Sequence, residues 1–440
     1  MKIVLNIIVL FALGLNQAVA NISEQQLENG LKVIVIEDHR APVVVSQVWY
    51  NIGSSYEHDG ISGVSHVLEH MMFKGTKDLK PGEFSKIIAR NGGRENAFTS
   101  KDYTAYFQRI SNDRLELCLK LEADRMRNVV FLQHEFDKEV EVVKEERRLR
   151  VENRPKSKLY EQFYATAFLT NPIRIPVIGW MEDLDSLKME DAAEWYKKWY
   201  APNNATLVVV GDVKPDEVFK LAEQYFGPLK PSDITAPKPR KEIKQTGLKR
   251  FTMYGQTASP YLMMGYKMPV LNTIEDEKEA FALDVLGGIL DGGNSARISK
   301  NLIRGKELAV SAGIGYDLYD REQGIFILVG TPSKQSSVEK LEQAFYQELD
   351  ELKTNLVSEQ ELARVKAQTV AQKVYDRDSM FNMGMQVGML VTTGYDRQEI
   401  DRYVEQIKLV TAEQIRQVAK KYFNSETLTI ATLLPEKSAE

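Results

Sequence analysis

The feature that most constrains the fold is an internal repeat near the end of each half. The stretches "EWYKKWYAPNNATLVVVGD" (194–212) and "RQVAKKYFNSETLTIATLL" (416–434) share one pattern. Each has an aromatic-flanked Lys-Lys at the end of a helical segment, then a polar turn, then a hydrophobic strand. A repeat of this length indicates duplicated domains and not a solenoid, because solenoid repeats are 20–50 residues long.

The duplication predicts two homologous domains, at residues 21–228 and 250–440, joined by a Pro- and Lys-rich linker at 229–249. In both halves, β-branched strand patterns come before long runs with helical periodicity. This order predicts an α+β fold, with a mixed or antiparallel sheet in each domain and helices packed on one face. The length of 440 residues also favours more than one core.

The first twenty residues have the three parts of a secretory leader: Lys2, an apolar segment from Ile3 to Leu15, and Ala18-Val19-Ala20. The apolar segment is shorter than the ~20 residues of a spanning helix. We expect cleavage after Ala20, a periplasmic or secreted protein, and no stable membrane anchor; an uncleaved anchor is the alternative. A net charge of −5 without a basic arm argues against a nucleic-acid partner.

The stretch "HVLEHMMFKGT" (66–76) contains two of the five histidines of the chain. On a helix, His66 and His70 lie on one face with Glu69 beside them. This H-x-x-E-H pattern is the inversion of the H-E-x-x-H zinc signature. A catalytic zinc ion takes three protein ligands from imidazole and carboxylate groups. The motif therefore predicts one zinc ion and a third ligand from elsewhere; a helix that merely carries polar residues is the alternative.

The stretch "FDKEVEVVKEERRLR" (136–150) is the candidate source of the third ligand. Glu139 and Glu146 are seven positions apart, on the same side of a predicted helix. Glu146 could bind the metal, and Glu139 could hold a metal-binding histidine through a hydrogen bond. The spacing alone leaves other acids open as ligands, namely Glu135, Glu141 and Glu145.

Together with "GGRENAFTSKDYTAYF" (92–107), these stretches resemble the pitrilysin family of zinc peptidases, the inverzincins, which includes insulysin and the mitochondrial processing peptidase. In that family a Glu about 76 positions after the second His is the third ligand, which implies Glu146. An acidic residue seven positions earlier implies Glu139. The resemblance covers nearly all of the chain after residue 20. Its length matches the branch that resembles the β subunit of the processing peptidase, in which two half-length chains close into a clamshell.

The resemblance implies a zinc-dependent endopeptidase that hydrolyses peptides or unfolded segments. Glu69 is expected to take a proton from the zinc-bound water and pass it to the leaving amine. Asn96 and Ala97 are expected to contact the substrate main chain, which would pair with their strand as an added strand. The alternative is a catalytically silent partner subunit that acts as a peptide-binding or assembly module. The intact histidine and glutamate positions favour the enzyme.

The second half departs from the family pattern in "NLIRGKELAVSAGIGY" (301–316). Arg304 matches a substrate-binding Arg of the family. Val310 and Ser311 stand where a Tyr is expected, and Val310 is predicted to lie in the core. We therefore expect a dimer with a homologous half-length chain that supplies the missing pair. A homodimer, with Tyr316 or water in place of the phenol, is the alternative.

Overall fold

The computed structural model of the protein describes residues 22–235, 238 and 240–436. The leader predicted at 1–20 lies outside the described residues. Two sheets define two halves. The strands of the first half are β1 Ile22–Gln26, β2 Lys32–Glu37, β3 Val43–Tyr50, β4 Arg94–Thr99, β5 Thr104–Ser111 and β6 Ala205–Gly211. The strands of the second half are β7 Lys249–Gly255, β8 Tyr261–Met268, β9 Ala309–Gly315, β10 Gly324–Pro332 and β11 Leu428–Pro435.

Helices follow the strands in both halves. In the first half they are α1 Val64–Met71, α2 Glu83–Arg90, α3 Leu115–Asn128, α4 Gln133–Arg147, α5 Pro155–Ala167, α6 Met181–Ser186, α7 Met189–Trp199 and α8 Pro215–Phe226. In the second half they are α9 Glu277–Asp291, α10 Val338–Thr354, α11 Glu359–Asp376, α12 Met380–Thr392, α13 Glu399–Leu409 and α14 Ala412–Tyr422. Within the described ranges, no helix combines the length and the apolar character needed to cross a membrane.

The two sheets have corresponding strand orders. The first is β1-β2-β6-β3-β5-β4 and the second is β7-β11-β8-β10-β9. Neighbouring strands are antiparallel except for β2 with β6 and β7 with β11, which are parallel. The hydrophobic strands of the repeat, β6 and β11, therefore hold equivalent places, each between a parallel and an antiparallel neighbour. The predicted α+β fold with two mixed sheets is confirmed.

One face of each sheet is covered by helices of its own half, as the periodicity predicts. In the first half, Leu68 of α1, Val143 of α4 and Trp199 of α7 belong to one continuous core. In the second half, Leu286 of α9 and Ile415 of α14 belong to the equivalent core. The repeat thus builds the same layered arrangement twice.

The opposite face of each sheet is covered by a helix from the other half, which the sequence did not predict. Met383 and Val387 of α12 pack against Trp49 on the first sheet. Reciprocally, Leu159 and Phe163 of α5 pack in a core with residues of β8, β10 and β11 of the second sheet. Each half therefore contributes one helix to the other, and at least one helix packs on each face of each sheet.

The expectation that Val310 lies in the core is wrong, because its side chain is 67% exposed. It lies on β9, which in the described part of the chain pairs with β10 alone and forms an edge of the second sheet. An edge strand with a solvent-facing side tolerates an exposed β-branched residue, and sequence alone does not show which predicted strand forms the edge.

Candidate metal and peptide-binding site

The helix that carries the H-x-x-E-H motif, α1, is fixed at its start by a buried carboxylate. Gly63 precedes the helix in a left-handed conformation, with φ of 88°. Glu57 accepts hydrogen bonds from the backbone N–H groups of Gly63 (2.7 Å) and Ser65 (2.8 Å). Burial raises the pKa of Glu57 to about 7, against the effect of these hydrogen bonds. The free N–H groups of the first turn thereby gain a partner.

Three donor groups meet between α1 and α4. The ligand atoms of His66, His70 and Glu146 all lie within 4.8 Å of one another. Nε2 of His66 is 3.9 Å from Oε1 of Glu146, and Nε2 of His70 is 3.6 Å from Oε2 of the same carboxylate. Two imidazole nitrogens and one carboxylate oxygen form a donor set that suits a catalytic zinc ion. The residues present therefore fit the metal that the motif predicts.

Glu139 lies seven residues, or about two turns, before Glu146 on α4. Its carboxylate contacts Nδ1 of His70, the ring nitrogen that does not face Glu146. Its Oε2 is 3.1 Å from Nδ1 of His70, and its Oε1 is 2.6 Å from Nζ of Lys74. Partial burial acts to raise the pKa of Glu139, but the bonds from His70 and Lys74 outweigh it and lower the pKa. A carboxylate on Nδ1 fixes the ring and leaves Nε2 to face the donor set.

His66 is held differently from His70. Its Nδ1 is buried, and no hydrogen-bond partner for this atom is present among the residues described. Burial, followed by the effects of His70 and Arg150, lowers the pKa of His66 to about 3. The imidazole is therefore neutral at neutral pH, as a metal-binding histidine must be.

The remaining glutamates of α4, which the sequence left open as ligands, pair with lysine or arginine side chains outside the donor group. Glu135 lies 3.5 Å from Lys138, and Glu141 lies 2.8 Å from Lys144. Glu145 pairs with Arg148, and its side chain is exposed. None of these three is part of the donor group.

Glu69 stands beside the donor group without belonging to it. Its Oε2 accepts a hydrogen bond of 2.5 Å from Oγ1 of Thr99, the last residue of β4. Burial raises the pKa of Glu69, and the bond from Thr99 opposes this shift. Thr99 lies in the strand-like stretch that carries the resemblance, but its role beside Glu69 has no signal in the sequence pattern.

A cavity of about 860 Å³ opens over these groups and reaches the second half. Asn96 and Ala97 of β4 line it, and so does Tyr261 of β8. Among the described residues, strand β4 pairs with β5 alone, so no other described strand lies at its outer edge. The N–H of Ala97 donates to Oδ1 of Asn96 at 2.9 Å and not to the ladder with β5. The Asn96 side chain thus occupies a backbone donor that an added strand could use.

The residues predicted in the second half lie apart from this cavity. Arg304 is exposed in a π-helical segment at Ile298–Gly305, where its guanidinium donates to the backbone oxygens of Asn294 and Ser299. The phenol of Tyr316 donates to the carbonyl of Pro269 at 2.8 Å. A substrate-binding role for Arg304 therefore stays a prediction.

Comparisons with known proteins extend over almost the whole chain. The family description Insulinase (Peptidase family M16) matches residues 32–179, and Peptidase M16 inactive domain matches residues 186–369. The zinc protease PqqE of Helicobacter pylori is 33% identical over 414 residues, which cover 93% of this chain and 92% of that protein. The probable mitochondrial-processing peptidase subunit beta of Arabidopsis thaliana is 24% identical over 423 residues, covering 93% of this chain and 77% of that one.

A solved structure agrees with these matches. The crystal structure of a protease from Helicobacter pylori superposes with a TM-score of 0.89 at 31% identity, covering 94% of this chain and 100% of that one. The resemblance noted in the sequence is thereby confirmed. The chain is a half-length member of peptidase family M16, the insulinase-like zinc proteases.

Proposed function

We propose that the protein is a zinc-dependent endopeptidase that hydrolyses peptides or unfolded segments. The observation that carries this proposal is the convergence of His66, His70 and Glu146, with Glu69 beside them, at a cavity that borders a free strand edge. We assign one zinc ion per chain to the three donors. A bound zinc ion supplies Lewis acidity, which activates water and stabilises the developing oxyanion.

In this proposal Glu69 is the general base. It takes a proton from the attacking water as the new C–O bond forms, and it gives that proton to the amide nitrogen as the C–N bond breaks. The hydrogen bond from Thr99 holds the carboxylate in place. Glu139 acts through His70 and does not touch the substrate, so we assign it a positioning role.

Peptide binding is assigned to the edge of β4. A substrate in extended conformation would pair with this strand and take the N–H of Ala97, displacing the side chain of Asn96. Such pairing uses backbone groups, so it suits substrates that present an extended chain and excludes folded ones.

The test is Glu69→Gln, which keeps the size of the side chain and removes the base. We expect wild-type zinc content by atomic spectroscopy and a loss of roughly 10²–10⁴-fold in kcat on a quenched peptide. Glu141→Gln is the control, because Glu141 is exposed on α4 and outside the donor group. Full activity of the Glu69 variant, or loss of its zinc, would contradict the assignment. A wild-type protein that binds peptides but neither holds zinc nor cleaves would instead be the silent partner subunit.

We further propose that the active form is a dimer with a homologous half-length chain, preferably a different one. The support is that Arg304 lacks its expected Tyr partner, and that the similar Arabidopsis protein is named as a subunit. Mixing the purified chain with such a partner should raise kcat; full turnover by a monomer, unaffected by Arg304→Ala, would rule this out.

Export to the periplasm, or secretion, is also part of the proposal and rests on the leader pattern of residues 1–20. Intact-mass measurement of protein from the periplasmic fraction should find Asn21 as the first residue. Recovery of the uncleaved chain in the membrane fraction would contradict it.

A further inference from the structure

We propose that the cavity selects peptides that carry a carboxylate group, and that Lys156 at the start of α5 receives it. The inference rests on the proposed peptidase function and concerns its substrate class. Lys156 lines the same cavity as the donor group and is exposed to it.

The ammonium group of Lys156 is held in place by neutral partners. Its Nζ donates to Oγ1 of Thr331 at 3.2 Å and lies 4.3 Å from the centre of the Tyr261 ring. Both partners belong to the second sheet. Within the described part of the chain, these two contacts are the ones this ammonium group makes, and neither is to a carboxylate. The positive charge of Lys156 is therefore held in position without a carboxylate partner.

The carboxylates that line the cavity already have partners. Glu161 accepts two hydrogen bonds from the guanidinium of Arg147, at 2.7 and 2.8 Å. Glu146 belongs to the donor group, and Glu69 accepts from Thr99. None of these acids is placed to neutralise Lys156.

The two arginines that line the cavity differ from Lys156, because each forms an ion pair with an acid. Nη1 of Arg150 is 2.6 Å from Glu146, and Nη2 of Arg174 is 3.0 Å from Asp59. Lys101 also lines the cavity but is less exposed than Lys156, and burial lowers its pKa against the opposing effect of Asp320. Lys156 is thus the cation best placed to attract an anionic group of the substrate.

The aromatic wall beside Lys156 strengthens this attraction. Tyr160 and Tyr164 line the cavity one and two turns further along α5, with their hydroxyl oxygens 3.1 Å apart. Apolar rings lower the local dielectric constant, so a charge pair formed against them is worth more than one in open water. The net charge of the whole chain is −5, which would repel anionic peptides. A preference for such peptides would therefore have to arise from cations inside the cavity.

The test measures binding on zinc-loaded protein that carries Glu69→Gln, so that no peptide is consumed. Labelled decapeptides of neutral sequence carry either Gln or Glu at each position in turn, with the C-terminus free or amidated. We expect at least one Glu peptide to bind about 10-fold more tightly than its Gln counterpart by fluorescence anisotropy. Adding Lys156→Met should reduce this ratio to within twofold, and Lys156→Arg should retain it.

Lys138→Met is the matched control, because Lys138 is an exposed lysine on α4 and does not line the cavity. It should leave the Glu-to-Gln ratio unchanged. A preference for free over amidated peptides that Lys156→Met removes would identify the chain terminus as the source of the carboxylate. Equal binding of all charged and neutral peptides, or a preference that survives Lys156→Met, would overturn the inference. Cleavage of the neutral peptide by the wild-type protein separately decides the proposed peptidase function.

Discussion

Among single side chains, Glu139 has the role that can be measured most directly. Its carboxylate contacts Nδ1 of His70 and Nζ of Lys74, and it is not itself one of the three donor groups. Glu139→Gln should weaken zinc binding by about 10–100-fold, because a neutral amide holds the His70 ring less firmly. Competition with a chromophoric zinc chelator gives the affinity. Glu135→Gln on the same helix is the control, and an unchanged zinc Kd for the Glu139 variant would contradict the positioning role.

Sequence reasoning identified the residues of α1 but could not choose among the acids of α4 without the family resemblance. The spacing of four fixes His66 and His70 on one helix face, because residues four apart are separated by about one full turn. The contact between α1 and α4 is a tertiary one, and helical periodicity says nothing about which acid faces another helix. The hydrogen bond from Thr99 to Glu69 was missed for the same reason, since it joins β4 to α1.

Among the secondary-structure elements, β4 has one backbone group, the N–H of Ala97, whose role in peptide binding can be tested alone. Ala97→Pro removes an N–H that does not take part in the ladder with β5. We therefore expect KM for peptides to rise about 10-fold, with little change in thermal stability. Ala97→Ser keeps the N–H and is the control. A fall in Tm with KM unchanged would show that the strand is only structural.

The close approach of α12 to β3 predicts a second effect at this scale. A Cβ at Gly388 would lie 2.0 Å from Cε2 of Trp49, so the helix cannot keep its position with a larger residue. Gly388→Ala should destabilise the protein by roughly 1–3 kcal/mol, measured by urea unfolding. At Gly247 an added Cβ meets nothing within 4 Å, so Gly247→Ala should leave stability nearly unchanged. Equal effects of the two substitutions would argue against tight packing of α12.

The strand and helix patterns predicted both layers of each half, and the repeat predicted that the halves are alike. They did not predict which sheet α5 and α12 cover. An amphipathic pattern shows that a helix buries one face, but it carries no information about the partner of that face. The assignment depends on how the two halves dock.

At the scale of the whole molecule, Glu242 joins the segment before β7 to β8 through an ion pair, and to the chain after α5 through hydrogen bonds. Glu242 is 2.7 Å from Lys267 and accepts hydrogen bonds from the backbone N–H groups of Leu169, Thr170 and Asn171. Burial acts to raise the pKa of Glu242, but these bonds outweigh it and lower the pKa to about 2. The stabilisation is therefore complete above the unfolded pKa of 4.5 and is lost as the pH falls towards 2.

This ion pair predicts a pH dependence of stability. The full shift corresponds to about 3 kcal/mol, and solvent screening reduces it to roughly 2 kcal/mol. The difference in unfolding free energy between the wild type and Glu242→Gln should shrink by roughly 1.5 kcal/mol between pH 7 and pH 2.5, because part of the effect remains just above the folded pKa. Glu217→Gln, at an exposed site, should show no such trend. A difference that stays constant with pH would contradict the role of the pair.

The exchange of α5 and α12 has a consequence for the ancestry of the chain. A single unit of this kind, standing alone, would have one bare sheet face and one helix with nothing to cover. In two identical copies related by a two-fold axis, the free helix of each copy would cover the bare sheet face of the other. The present chain therefore has the form of a swapped homodimer whose subunits became fused. A cut between Phe226 and Lys249 should accordingly leave two fragments that remain associated. The peptide link only connects the halves, whereas the exchanged helices hold them together through their packing on the opposite sheets.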